Sequence, residues 1–174
     1  FQMAFDNSVR WKRWTLGLTV EWREGGDVAN TTTKLYDEGQ TSRDFTAAIT
    51  ARNLPRGVPA ADIANIPSTV LGLGDFRYQA WHGGSDARAY LQDGTAVRLR
   101  DISISYDAPD AIAARLHATS ARLSLQARNV LLFTNYWGYD PESSNYGQQA
   151  VTRNVDLGPY PPSRAFMFSI TAGF

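Results

Sequence analysis

The chain has 174 residues and carries 17 basic and 17 acidic side chains, so it has no net formal charge. Binding to nucleic acid through bulk charge is therefore not expected, although a local basic patch is compatible with this balance. The absence of cysteine excludes a disulfide framework, a cysteine-ligated metal centre and a cysteine nucleophile. His82 and His117 are the only histidines, which leaves little for a histidine-based metal or catalytic site, and no order of Ser, His and Asp suggests a catalytic triad. We expect no catalytic residues, no metal, no cofactor and no enzymatic activity.

The longest apolar runs fall short of the roughly 18–20 residues that a membrane-spanning helix needs, which excludes a helical membrane protein. A membrane β-barrel is not excluded, because its strands alternate apolar and polar residues and have a polar average. The N-terminus lacks the basic segment and apolar run of a signal peptide. Since Phe1 already stands inside an alternating pattern, we expect the natural protein to extend upstream.

Apolar and polar side chains alternate in five segments, which predicts five strands that each have one apolar face. Between the first two segments the apolar residues change from odd to even positions, as a two-residue turn at Lys12 and Arg13 requires. In the third segment Val97 and Leu99 have the opposite parity to Ile102, which predicts a β-bulge between them. The predicted strands cover residues 1–11, 14–24, 95–107, 119–132 and 163–174.

The connections between these strands are alternately short and long. Residues 12–13 and 107–118 are the shorter ones, and residues 25–90 and 133–161 are long and irregular. Up-and-down membrane barrels have this asymmetry, with short periplasmic turns and long extracellular loops. We therefore predict an all-β fold of five antiparallel up-and-down strands with two long extracellular loops. The pattern also allows a short helix at 43–51 or 59–65 and one or two helical turns at 110–117.

Large aromatic side chains stand at the strand ends and along the last strand, where a membrane barrel has its lipid face and aromatic girdles. The charged side chains at alternate positions would then face a solvated lumen. The alternative is a secreted soluble β-sandwich that binds carbohydrate, because its half-buried strands alternate in the same way. The predicted lipid-facing or girdle residues are Trp11, Trp14, Trp22, Tyr106, Phe166, Phe168 and Phe174.

Aromatic side chains also crowd the second long loop, beside asparagine and glutamine, a combination suited to glycan or peptide contact. Aromatic packing that anchors the loop is the simpler alternative. Asp140 and Glu142 fall far short of the six to eight oxygen ligands that Ca²⁺ takes, so no metal is expected there. Asp27 and Asp156 are predicted to be turn residues with Asx geometry. The candidate substrate-binding residues are Tyr136, Trp137, Tyr139, Tyr146 and Tyr160.

Five motifs in order give the chain a recognisable family resemblance. They are WREGGDV at 22–28, LQDGTAVRLRDIS at 91–103, ARNVL at 127–131, GYDPE at 138–142 and DLGPYP at 156–161, followed by Arg164. With these motifs and its final Phe174, the chain resembles the C-terminal part of SusC/RagA-type TonB-dependent outer-membrane transporters over its whole length. It departs from the family's pattern at Ala96, where a larger aromatic is usual, and at Ala127, where glycine is common.

This resemblance implies a large barrel of about 22 strands, of which residues 1–174 would supply the last five. The plug domain and the TonB-contacting segment would lie upstream. It further implies an importer of oligosaccharides or oligopeptides in the outer membrane of a Gram-negative bacterium. The implied partners are a SusD-like surface lipoprotein, TonB, outer-membrane lipid and the cargo, with no nucleic acid.

Overall fold

The protein is described here from a computed structural model, which covers residues 1–80, 88–115, 117–144 and 154–174. The chain divides into two compact units. The first unit comprises Phe1–Glu24, Thr95–Thr134 and Pro162–Phe174, and the second comprises Gly25–Gly94 and Asn135–Pro161. In chain order, the strands are β1 (Gln2–Trp11), β2 (Trp14–Arg23), β3 (Asp27–Asn30), β4 (Leu91–Asp93), β5 (Ala96–Asp107), β6 (Ser120–Thr134), β7 (Val155–Asp156) and β8 (Ala165–Gly173). The α-helices are α1 (Thr31–Glu38), α2 (Leu73–Ala80) and α3 (Asp110–Arg115).

The first unit is an antiparallel sheet of five strands in the order β1-β2-β5-β6-β8. This confirms the predicted antiparallel sheet of five strands. Consecutive strands of the sheet are neighbours in space, as in an up-and-down arrangement, and β1 and β8 are its two open edges. The chain leaves and re-enters the sheet at one end, where Arg23 pairs with Ala96 and Ala96 with Thr134.

The register aligns the apolar side chains of the five strands into rows on one face of the sheet. In one row, each residue is paired with the next across the whole sheet: Val9, Leu16, Ile104, Leu125 and Phe168. Its neighbouring row toward the 12–13 turn is Trp11, Trp14, Tyr106, Leu123 and Ile170. Most of these side chains are exposed rather than packed in a core. The period-two pattern of the sequence thus becomes a continuous apolar surface.

The opposite face carries polar and charged side chains that are paired across the strands. Asp107 accepts a hydrogen bond from Arg122 at 2.6 Å and forms a longer ion pair with Arg10 at 3.4 Å. Gln126 donates to Asp101 at 2.5 Å on the neighbouring strand. These cross-strand pairs help to hold the register of the strands on this face.

Extra residues in β5 and β6 displace the register in the middle of the sheet. Thr19 and Val20 are adjacent in β2, and they pair with Asp101 and Leu99 of β5. Arg100 is therefore an extra residue in β5 with no partner position in β2. β6 contains a further residue at this level and includes Asn129 with φ 53°. The parity change in the sequence had predicted this irregularity in β5. Its effect is that Leu99 returns to the apolar face on which Ile102 lies.

The two shorter connections follow the expected plan. Trp11 pairs directly with Trp14, so Lys12 and Arg13 form a two-residue turn in which Lys12 has φ 54°. Helix α3 occupies the 107–118 connection and buries Ala113. The possible helical turns at 110–117 are therefore present as one short helix.

The second unit has regular structure where the sequence pattern had indicated irregular loops. Strands β4, β3 and β7 form a small sheet in that order, and α1 and α2 belong to the same unit. A 3₁₀-helix covers Ala60–Asn65, one of the two predicted positions, whereas residues 43–51 form turns and irregular chain. No helix within the described residues is long and apolar enough to span a membrane.

Candidate functional site

Helix α1 forms one side of a cleft in the second unit. The side chain of Asn30 caps the helix by accepting a hydrogen bond from the Thr33 backbone N–H at 2.8 Å. This cap compensates for three consecutive threonines, which are poor helix formers. The helix therefore presents its first-turn hydroxyls in a fixed position, and both Thr32 and Thr33 line the cleft.

A buried guanidinium joins the helices to the segment between them. Arg77 on α2 donates to both carboxylate oxygens of Asp37 on α1, at 2.7 and 2.9 Å, and to both oxygens of Asp44, each at 2.8 Å. The Arg77 and Asp37 side chains are 0 % exposed. Two bidentate contacts satisfy a buried charge far better than one would, so this cluster fixes the relative position of three segments.

The electrostatics of this cluster favour its charged form. Burial alone would lower the pKa of Arg77, but the hydrogen bonds with Asp44 and Asp37 outweigh burial and raise it. The hydrogen bond from Arg77 likewise lowers the pKa of Asp44 against the opposing effect of desolvation. The Trp137 ring lies over the guanidinium, with its centroid 5.3 Å from Cζ, and adds a cation–π contact. Trp137 is thereby held against the charged cluster.

A second polar cluster attaches the 135–161 segment to α1. Asp156 accepts hydrogen bonds at 2.5 Å from the Tyr136 hydroxyl and from Thr32 Oγ1, one on each carboxylate oxygen. Burial of the Tyr136 ring, together with the neighbouring Asp156 carboxylate, raises the pKa of the phenol. Gly138 leaves room for this arrangement, because a Cβ there would lie 2.3 Å from Tyr136 Cε1. The prediction that Asp156 is a turn residue is wrong, since Asp156 is a buried strand residue that holds two segments together.

These clusters support an open cleft of about 540 Å³ within the second unit. Trp137 and Tyr139 lie on it as partly exposed aromatic surfaces, with 47 % and 80 % of their area accessible. Hydroxyl, amide and charged groups make up most of the remaining lining. These residues are Asn30, Thr32, Thr33, Tyr36, Thr41, Ser42, Arg43, Asp44, Gly138 and Asp156. Aromatic surface next to many hydrogen-bonding groups can bind a polar polymer, either sugar or peptide.

The five aromatic residues predicted to bind substrate are not equivalent in the structure. Trp137 and Tyr139 line the cleft, whereas Tyr136 is buried behind it with its hydroxyl bound to Asp156. Tyr160 is 98 % exposed and does not line the cleft. Tyr146 lies outside the described residues. The loop-anchoring alternative thus fits Tyr136, and surface contact fits Trp137 and Tyr139.

The sequence pattern missed most of the polar lining of this cleft. Thr32, Thr33 and Ser42 have no motif that distinguishes them from ordinary loop residues. The available signal was Asn30 three positions before Thr33, which is a helix N-cap spacing. The other prediction for an acidic residue, a turn role for Asp27, is wrong as well, because Asp27 begins β3 and forms an ion pair with Arg56.

Among the described residues, no three histidine, aspartate or glutamate side chains come together as a metal site would need. Asp140 instead forms a local Asx turn, in which the Glu142 backbone N–H donates to its carboxylate at 2.9 Å. His117 is exposed in the connection before β6, and His82 lies outside the described residues.

Six of the seven residues predicted for the lipid face or its girdles lie on one face of the first unit's sheet. Trp11, Trp14 and Tyr106 are direct cross-strand neighbours, and the Trp14 and Tyr106 rings lie 4.6 Å apart between centroids. Trp22 lies in the row at the other end, where the Phe1 ring packs edge-on against it at 5.2 Å. Phe166 and Phe168 are exposed on the edge strand β8, and Phe174 follows it at the chain end.

Comparison with known proteins points to one class. The chain matches no protein-family model. It is 28 % identical over 178 residues to TonB-dependent receptor P3 of Formosa agariphila, covering 100 % of the chain and 16 % of that receptor. TonB-dependent receptor P26 of the same organism is 23 % identical, with 98 % of the chain and 16 % of the receptor covered.

The chain is similar to a segment of SusC/RagA-type TonB-dependent receptors. This confirms the resemblance found in the five sequence motifs. The solved structures of the RagAB peptide importer in the open-open and closed-closed states match with TM-scores of 0.60 and 0.61. Both are 22 % identical and are matched over 99 % of the chain and 17 % of the solved chain, so they show a shared fold.

The matches cover only a small part of the receptors to which the chain is similar. The chain spans about a sixth of the length of the receptors it matches, with coverage of 16 % in both. The matched proteins are receptors and importers rather than enzymes, in agreement with the expected lack of catalysis.

Proposed function

We propose that the chain is the C-terminal barrel segment of a TonB-dependent importer in the outer membrane of a Gram-negative bacterium. The observation that carries the proposal is the exposed apolar face, which runs across all five strands in one register. A soluble sandwich would bury such a face against a second sheet. A barrel wall exposes it to lipid and turns the paired charges of the other face toward the lumen.

The open edges of the sheet fit a larger barrel. Strands β1 and β8 each have a neighbour on one side only, and strand edges of this length require partners. We propose that upstream strands complete a barrel of about 22 strands, with a plug domain and the TonB-contacting segment also upstream. In this arrangement residues 12–13 and 107–118 lie on the periplasmic side, and residues 25–90 and 133–161 are extracellular.

The second unit is the proposed extracellular contact region for cargo. Its cleft combines the aromatic surfaces of Trp137 and Tyr139 with hydroxyl and amide groups that suit an oligosaccharide or oligopeptide. RagAB, whose solved structures the chain resembles, is a peptide importer. By analogy, we propose that the importer works with a SusD-like surface lipoprotein.

Membrane fractionation of the full-length protein tests the location. When it is expressed in a Gram-negative host, we expect recovery in the outer-membrane fraction and a faster-migrating folded band before boiling, as stable barrels give. A protein recovered from the soluble fraction, folded and monodisperse in detergent-free buffer, would contradict the proposal.

Alanine substitutions in the cleft test its role in cargo contact. We expect Trp137→Ala and Tyr139→Ala each to weaken cargo uptake by about fivefold to a hundredfold, as loss of an aromatic stacking surface does. Uptake is measured with labelled oligosaccharide or oligopeptide mixtures at equal amounts of folded transporter. Tyr160→Ala is the matched control, since this exposed tyrosine does not line the cleft. An equal loss in all three variants would argue against a defined site.

A further inference from the structure

A small apolar groove lies on the exposed face of the first unit, next to the 12–13 turn. It has a volume of about 240 Å³ and is lined by Val9, Trp11, Trp14, Leu16 and Ile104. These residues come from two adjacent rows of β1, β2 and β5, so the groove is a fixed feature of the sheet register. Its lining is apolar, and the two indole rings give it stiff walls.

The turn beside the groove is basic. Lys12 and Arg13 are both exposed, and the Lys12 ammonium lies 4.9 Å from the centroid of the Trp11 ring that lines the groove. The nearby carboxylate of Asp107 is already bound by Arg122 at 2.6 Å and approached by Arg10 at 3.4 Å. Positive charge therefore accumulates at the mouth of an apolar groove.

We propose that this groove and turn form a seat for one anionic phospholipid molecule. One acyl chain would lie in the groove, and the phosphate group would lie on Lys12 and Arg13. The two parts of such a lipid match the two parts of the site, an apolar channel and a basic rim. The proposal rests on the proposed membrane location, and it adds a defined lipid at one place on the barrel wall.

Charge complementarity decides between kinds of lipid. A zwitterionic lipid with the same acyl chains fills the groove equally well but gains less from Lys12 and Arg13, because its headgroup carries no net charge. A single basic side chain near an anionic lipid surface corresponds to about a fivefold gain in binding. A preference for the anionic headgroup therefore distinguishes binding at this site from non-specific contact between lipid and the apolar face.

Native mass spectrometry of the purified full-length transporter in detergent tests the seat. The probes are phosphatidylglycerol and phosphatidylcholine with identical acyl chains. We expect retention of one phosphatidylglycerol in preference to phosphatidylcholine. Retention should fall about fivefold or more in K12Q/R13Q, and also in Val9→Trp, which fills the groove. K34Q/R52Q removes the same charge from the second unit and should retain lipid as the wild type does.

The alternative outcomes overturn the proposal in distinct ways. Equal retention of both lipids, or unchanged retention in K12Q/R13Q, would exclude the seat. If inorganic phosphate alone displaced the lipid, the site would be an anion site without a role for the groove. Outer-membrane recovery is scored separately on the same preparations. A transporter that reaches the membrane and lacks lipid preference refutes only the seat, whereas a soluble protein refutes the proposed function.

Discussion

Replacement of Arg77 by methionine is expected to destabilise the second unit by about 3–5 kcal/mol. The substitution would leave the Asp37 carboxylate, which is 0 % exposed, buried without its counter-ion. It would also release Asp44 and remove the cation that lies under the Trp137 ring. Because Asp44 and Trp137 both line the cleft, loss of this one side chain should disorganise the proposed cargo site.

Native-state proteolysis of the folded full-length protein measures this effect without requiring the proposed barrel to unfold. The rate of cleavage within residues 25–94 should rise strongly in Arg77→Met, while the heat-resistant barrel band persists. Arg52→Met is the matched control, since Arg52 is exposed, and it should change stability by less than about 0.5 kcal/mol. Adding Asp37→Asn to Arg77→Met should restore part of the resistance by removing the orphaned charge. Wild-type cleavage rates in Arg77→Met would contradict the assignment of this cluster as the support of the unit.

Substitution of Ile102 by arginine is expected to destabilise the proposed barrel by about 2–4 kcal/mol. Ile102 lies in the middle row of the apolar face, paired with Leu18 on one side and Ala127 on the other. If this face meets lipid, a guanidinium there stands near the bilayer midplane, where desolvation of a charge is most costly. The next residue, Ser103, points to the opposite face because successive strand residues alternate.

The pair Ile102→Arg and Ser103→Arg therefore separates the two faces at nearly the same depth. The folded fraction is read from the unboiled band in outer-membrane extracts, and from its loss with increasing urea. We expect a strong reduction for Ile102→Arg and near wild-type levels for Ser103→Arg. Equal tolerance of both substitutions would mean that both faces are solvated, which is incompatible with a barrel wall.

The fold of the first unit was predictable because the alternation of apolar and polar residues can be read within each strand. Each strand alternates with period two, and the change of parity at Lys12 and Arg13 reports a turn without any knowledge of distant contacts. The same reasoning located the irregularity near Arg100. A bulge adds one residue to a strand, so the apolar residues change from odd to even positions in the sequence. Pairing partners then follow from the connection lengths in an up-and-down sheet.

The second unit was not predictable by the same reasoning, because its interior mixes buried apolar side chains, such as Val28 and Leu73, with buried charged ones. Arg77 and Asp37 are buried but read as surface residues, so α1 and α2 have no clear apolar stripe. Buried ion clusters of this kind depend on partners distant in sequence. The cleft residues became visible only when the structure brought Thr32 and Asp156 together.

The bond between Thr32 and Asp156 joins residues that are 124 positions apart, which has a consequence for the order of assembly. The entropy lost in closing a loop grows with the length of free chain between its ends. Once β5 has paired with β6, Ala96 and Thr134 are neighbours. The residues between them then no longer add to the length of flexible chain that separates Thr32 from Asp156. Pairing of the strands thus lowers the entropy cost of bringing Thr32 and Asp156 together. We therefore expect the five-stranded sheet to form first and the cleft of the second unit to form last.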